Sequence, residues 1–194
     1  MPLYLPEAEE LPYRICAIDP GTDTLGVAIL DVYLTRRIIR VVEARTFTAS
    51  DHYASVRHFG LQYGDRGLRM YWHGIHLTNL LFGWQPQSVI AEAPYMGRFP
   101  AAYEALVECR TMIRQAVTDY NPGIPLLLVD PPTAKKSVGA IVKKGSKENV
   151  QESVLKLPFL EWYQPLAIED LDEHCFDAIA VGVHHGLEVL LQYG

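Results

Sequence analysis

The chain has 194 residues, enough for one domain with a sizeable core, and its 49% hydrophobic and 21% charged content is that of an ordinary soluble globular protein. No apolar stretch is long enough to cross a bilayer, no repeat or low-complexity tract is visible, and the acidic, proline-broken start with Glu7, Glu9 and Glu10 is the opposite of a secretory signal. A net charge of −6 argues at first sight against a nucleic-acid partner, but six lysines fall between Thr133 and Lys156, whereas seven acids and no Lys or Arg follow Lys156, so one face can be basic on an acidic protein.

Residues 1–11 read as an N-terminal tail, and 12–194 as one α/β domain. A short apolar run, Ile15 to Ile18, delivers Asp19 and breaks at Pro20-Gly21. A second run starts at Leu25, which predicts a strand, a tight turn and a returning antiparallel strand. Arg36 to Phe47 alternates around Ile38, Val41 and Val42 as a third strand of the same meander. Residues 48–63 read as a loop. Tyr71, Ile75, Leu80, Leu81 and Trp84 recur at helical spacing and predict a helix over about 65–83. On it, His73 and His76 lie one turn apart, with no carboxylate in the segment to make them a metal pair.

Ser88 to Glu92 is a short apolar strand that ends at a second isolated acid before Ala93-Pro94. The aromatic, basic loop Tyr95 to Pro100 leads into a helix over about 102–120, stopped by Asn121-Pro-Gly. Pro125 to Asp130 is a wholly apolar strand, which reads as central and parallel. Pro131-Pro132 opens the lysine-rich stretch, and Ser146 looks like a helix start. The last helix begins near His174, with Phe176, Ile179, Ala180, Val183, Leu187 and Leu190 as its apolar stripe. The order predicts a mixed five-stranded sheet, three antiparallel strands and then two parallel, flanked by helices. Cys16 and Cys109 sit among apolar neighbours and Cys175 lies beside the last helix start. All three read as reduced thiols in a cytoplasmic setting.

Functional groups in such sheets gather beyond the carboxyl ends of the strands. Asp19 and Glu92 both occupy that position, and the first turn of the last helix brings His174 and Asp177, three residues apart, to the same edge. Three crowded carboxylates repel one another unless divalent cations neutralise them, and such oxygen donors suit Mg²⁺ or Mn²⁺. Two ions bridged by such acids are the arrangement of phosphodiester cleavage. The turn Asp19-Pro-Gly-Thr also has a second reading, the phosphate loop of an actin-like ATPase or sugar kinase. That reading requires a further glycine-rich hairpin and an adenosine-binding glycine pair, and the chain has neither.

Five segments in order, Ile-Asp19-Pro-Gly-Thr with Leu-Gly-Val, Ile-Ala-Glu92-Ala-Pro-Tyr95, Lys-Lys-Ser-Val-Gly139, Gly-Ser-Lys147-Glu-Asn-Val and His174-Cys-Phe-Asp177-Ala-Ile-Ala-Val, resemble the RuvC family of Holliday-junction resolvases. The resemblance covers about residues 13–186. It implies an RNase H-like fold and a homodimeric endonuclease with two Mg²⁺ ions per site that nicks opposing strands of a four-way DNA junction symmetrically. Asp19, Glu92 and Asp177 match the family's catalytic acids. His174 stands where many members have Asp and some have His, which bears on Mn²⁺ preference, and neighbouring Glu173 is its rival. Lys147 matches a lysine placed at the scissile phosphate, and Lys135 or Lys136 another. Tyr95 falls where the family carries an aromatic wedge at the junction centre. Arg98, Lys135, Lys136, Lys143 and Lys144 are the implied phosphate contacts. Asp130 lies outside the implied metal cluster, while Asp23, Asp31, Glu169, Asp170, Asp172 and Glu173 read as solvated or helix-capping groups. The stretch from Gly139 to Lys147 is longer than in the family, which leaves the choice between Lys135 and Lys136 open. The segment 48–63 and the lack of a basic tail point toward a phage or viral type acting in the host cytoplasm, with an organelle source as the alternative. A catalytically silent branched-DNA-binding protein on the same fold stays open at this stage.

Overall fold

The computed structural model describes residues 10–50, 60–96, 99–140, 150–164 and 166–194. Three long strands form first: β1 (Tyr13–Asp19), β2 (Thr24–Tyr33) and β3 (Ile38–Thr48). They pair antiparallel in sequence order. Helix α1 (Gly60–Trp84) is interrupted at Gly64, whose φ of 72° leaves the helical region, so its regular part starts where the apolar periodicity does. After β4 (Ser88–Glu92) come α2 (Pro100–Tyr120), β5 (Leu126–Val129) and the short helix α3 (Pro131–Ser137). Helix α4 (Val150–Leu155), strand β6 (Leu160–Trp162) and α5 (Glu173–Tyr193) complete the chain.

The sheet has six strands in the order β5-β4-β1-β2-β3-β6, one more than the sequence pattern predicts. The additional strand, β6, runs parallel to β3 through Ile39↔Leu160 to Val41↔Trp162. Its three residues are too few to show a period of two. What defines it is backbone pairing, with the Ile39 amide donating to Phe159 O at 3.0 Å and the Tyr163 amide to Val41 O at 2.9 Å. A second correction concerns β5, which is an edge strand rather than a central one. Its wholly apolar sequence reflects helices over both faces near the edge, and Leu128 remains 39% exposed.

Alternation along the strands sorts the core into two layers. Ile15, Ala17 and Ile90 face α5 and α3, whereas Cys16, Ile18, Val89 and Ala91 face α1 and α2. The same alternation carries Asp19 and Glu92 onto the α5 side. Helix α5 lies across the middle of the sheet at close range because glycines stand at the crossings. A Cβ at Gly182 would come within 2.3 Å of Leu30 Cδ1, and one at Gly26 within 2.3 Å of the His174 carbonyl oxygen.

Three acids expected outside the metal cluster have defined structural roles. Asp31 is not solvated: it is buried, and its two oxygens take a bidentate bond from Arg14 Nε and Nη2 at 2.7 and 2.8 Å. Asp130 caps α3 by accepting from the Thr133 amide at 3.0 Å. Asp172 caps α5 by accepting from the Cys175 amide at 2.9 Å, and it also accepts from Thr46 Oγ1 at 2.7 Å. Part of the predicted 48–63 loop is strand at Thr48 and helix from Gly60, and residues 51–59 lie outside the described residues.

Candidate active site

Strands β1 and β4 are parallel neighbours, with Ile15↔Ser88 through Ile18↔Ala91 in register. One step further sets Asp19 beside Glu92, both at carboxyl ends and both on the α5 face. Pro20-Gly21 and Ala93-Pro94 turn the chain away, so each acid stays at the sheet's edge. The capped first turn of α5 then supplies His174 and Asp177. His174 Nδ1 lies 2.9 Å from Asp19 Oδ2, and its Nε2 lies 3.1 Å from Thr24 Oγ1. The imidazole therefore spans β1 and β2 from α5 with both ring nitrogens engaged. Glu173, the rival position, is exposed.

The electrostatics are those of crowded acids. Burial, and then the charges of Asp19 and Asp177, push the Glu92 carboxyl up to about 7. Burial likewise raises Asp177, with Asp19 adding to it. Burial raises Asp19 too, despite the opposing hydrogen bond and charge of His174. Burial disfavours a charged His174, but the hydrogen bond and charge of Asp19 outweigh it and raise its pKa. One described lysine is close enough for all three acids to feel it: the charge of Lys135 lowers Asp19, Glu92 and Asp177 alike. Lys136, next to it, is exposed. Between the two lysines left open by the sequence, Lys135 faces the acids.

Excess negative charge, oxygen donors and an adjacent imidazole are what a hard divalent cation fits. Among the described residues, no three His, Cys, Asp or Glu side chains yet converge as a closed metal site. Asp19 is turned to His174 instead. A small cavity of about 20 Å³ lies beside Glu92, lined by Pro20, Ala93, Pro94 and Leu106. A cleft of about 490 Å³ between α1 and α2, lined by Met70, Tyr71, Ile75 and Met112, contains none of these residues.

Tyr95, Met96 and Phe99 follow Glu92 with exposures of 66%, 64% and 73%, an apolar rim beside the acids. Arg98, Lys143, Lys144 and Lys147 lie outside the described residues. His73 is fully buried, and burial lowers its pKa to about 4. His76 stacks on Phe47 at 5.1 Å, so the pair packs α1 against the sheet. All three thiols are buried, and burial pushes Cys175 up to about 11, which leaves it a poor nucleophile. Sequence reading missed Thr24. A hydroxyl five residues after Asp19, on the returning strand of a two-strand turn, is the signal that could have found it.

No protein-family model matches the chain, and no curated protein matches it in sequence. Solved structures do match. Thermus thermophilus RuvC superposes with a TM-score of 0.67 at 17% identity, over 93% of this chain and 97% of that one. T. thermophilus RuvC in complex with Holliday junction substrate gives 0.63 at 14% identity, over 93% and 96%. The yeast mitochondrial Holliday junction resolvase Ydc2 gives 0.63 at 13% identity, over 96% and 84%. These TM-scores over nearly the whole chain identify the architecture: the chain has the RNase H-like fold in the form shared by RuvC and other Holliday-junction resolvases.

Proposed function

We propose that this chain is a divalent-metal-dependent endonuclease that resolves four-way DNA junctions as a homodimer. The observation that carries the reading is the meeting of Asp19 and Glu92 on adjacent parallel strand ends, under His174 and Asp177 from α5, on a RuvC-like fold. Asp19, Glu92, Asp177 and, once its ring turns from Asp19, His174 would hold Mg²⁺ or Mn²⁺. Cations held there supply water activation and stabilisation of the leaving oxygen in phosphodiester hydrolysis.

The chain's own residues do the rest. Lys135 brings positive charge to the acids, where an incoming phosphate also needs it. Tyr95 stacks at the opened junction centre, where base–aromatic contact is worth roughly 1–3 kcal/mol per base. Lys136 and the basic residues Arg98, Lys143, Lys144 and Lys147 contact the backbone, so binding weakens as salt rises. The Pro20-Gly21 turn holds Asp19 at the edge while substrate lies across it.

The decisive test is an immobile four-way junction incubated with the protein and EDTA, Mg²⁺ or Mn²⁺. Paired nicks are expected with metal, and Asp19→Asn should abolish them while junction binding persists. Wild-type protein that binds the junction yet leaves it uncut with both metals would reduce the function to branched-DNA binding. Undiminished cutting by Asp19→Asn would remove the mechanism.

A further inference from the structure

Down the same face of α5 from His174 and Asp177 come Val181, His184 and Glu188, at the three- and four-residue spacings of one helical stripe. The upper part of the stripe faces the acids. Its lower part is a polar network that the site chemistry leaves unused. His184 Nδ1 lies 2.9 Å from Ser137 Oγ, at the last residue of α3. Glu188 Oε1 lies 3.6 Å from His184 Nε2, and Oε2 lies 3.2 Å from His185 Nδ1. His185 Nε2 in turn reaches Ser88 Oγ at 3.1 Å. Ser88 opens β4, the strand that ends in Glu92.

Helix α3 has seven residues, too few to be stable in isolation, so its position is set by what grips it. Asp130 caps its start, and Ala134 and Val138 sit in the core with 1% and 3% exposure. At its far end Ser137 Oγ donates to Thr133 O at 3.0 Å. That bond uses the hydroxyl proton, so the Ser137 oxygen accepts from His184 Nδ1–H. Lys135 and Ser137 flank the buried Ala134–Val138 stripe on opposite sides. A roll of α3 about its axis would swing Lys135 away from the acids. The bond to His184 blocks that roll.

We infer that His184 and Ser137 are positioning residues that lock α3 onto α5 and so hold the Lys135 ammonium at the carboxylate edge. For its catalytic consequence this rests on the nuclease reading.

The test uses the full chain. His184→Ala and Ser137→Ala should each lower the single-turnover junction-cutting rate with Mg²⁺ by about tenfold, the scale of a displaced catalytic group. Junction affinity measured in Ca²⁺ should stay within about twofold. His184→Asn, which keeps a donor near the Nδ1 position, should restore most of the rate. In a Lys135→Ala background, His184→Ala should add no further loss. Additive losses in both backgrounds would overturn the inference, since they would make His184 act independently of Lys135.

A second readout needs no cutting. In reductively ¹³C-methylated protein, the Lys135 signal, assigned by its loss in Lys135→Arg, should differ from that of exposed Lys136. It should move toward the Lys136 position in Ser137→Ala and His184→Ala, but stay in His184→Asn. A Lys135 signal unmoved by both alanine variants overturns the positioning role. Wild-type protein inert on junctions, with the Lys135 signal responding as described, would instead sink the nuclease reading and leave the lock standing.

Discussion

Asp19 is pulled two ways, since burial raises its pKa while His174 stabilises its charge. At Glu92 the opposing charge of Lys135 is outweighed, and burial with the charges of Asp19 and Asp177 pushes the carboxyl up to about 7. A carboxyl whose folded-state pKa exceeds its unfolded one binds extra protons when folded, so its contribution is present below the unfolded value and lost as pH rises through the folded one. Asp19, Glu92, Asp177 and His174 are all raised, so all four act in the same direction. Metal-free protein should therefore lose stability as pH climbs from the ordinary carboxylate range through about 7, the window set by Glu92. Glu92→Gln should flatten that decline and stabilise the metal-free protein at neutral pH by on the order of 1–3 kcal/mol. Thermal denaturation in EDTA across the pH range, with both proteins, checks it; a parallel decline in the variant would refute it. Thr24 yields a second residue-scale prediction, because its hydroxyl is the partner of His174 Nε2. Thr24→Val keeps the shape and removes that bond, so Mn²⁺ affinity measured by calorimetry should fall about tenfold, while Thr24→Ser retains it.

Strands β1 and β2 carry Asp19 and Thr24, and a half-buried ion pair ties them at the opposite end. Arg14 grips Asp31 bidentately and also donates from Nη1 to Trp84 O at 3.2 Å. Arg14→Met should destabilise the fold by about 3–5 kcal/mol, because it leaves the Asp31 carboxylate buried without its cation. The double variant Arg14→Met, Asp31→Leu should recover most of that loss, and urea unfolding of the pair reads the difference. This element also shows what a sequence exposes and what it hides. The acids at the ends of β1 and β4 were legible because an isolated carboxylate between an apolar run and a proline or glycine breaker has few reasons to be there. Asp31 was misread because its partner is 17 positions away on the next strand, and strand registers are not written in local composition. Strand β5 looked central because apolar runs report burial on both faces, which covering helices give an edge strand too. Strand β6 left no periodic trace at all, since a strand of three residues is defined by the partner it joins. Thr24 and His184 were unread for the same reason: each is an ordinary polar residue until the fold gives it a partner.

At the scale of the molecule, the charge is divided between a basic stretch around α3 and an acidic carboxyl-terminal segment, and a single chain provides a single set of acids. A four-way junction cut by paired nicks has two scissile phosphates related by a two-fold axis, so one chain cannot reach both in the same encounter. Two copies related by the same symmetry can, and closed two-fold dimers are the commonest assembly able to do so. The proposed pairing of two chains is tested with hybrids of active and inactive copies. Wild-type and Asp19→Asn chains carrying different tags are mixed, and the hybrid is isolated by sequential capture on both tags. With a junction on a supercoiled cruciform plasmid, wild-type dimers should linearise the plasmid by cutting twice within one binding event. The hybrid should stop at the nicked circle, because relaxation reabsorbs the cruciform before a second enzyme binds, and the Asp19→Asn homodimer should leave it supercoiled. Linear product from the hybrid at the wild-type rate would show that one set of Asp19, Glu92, His174 and Asp177 serves both strands, and that the paired-site reading is wrong.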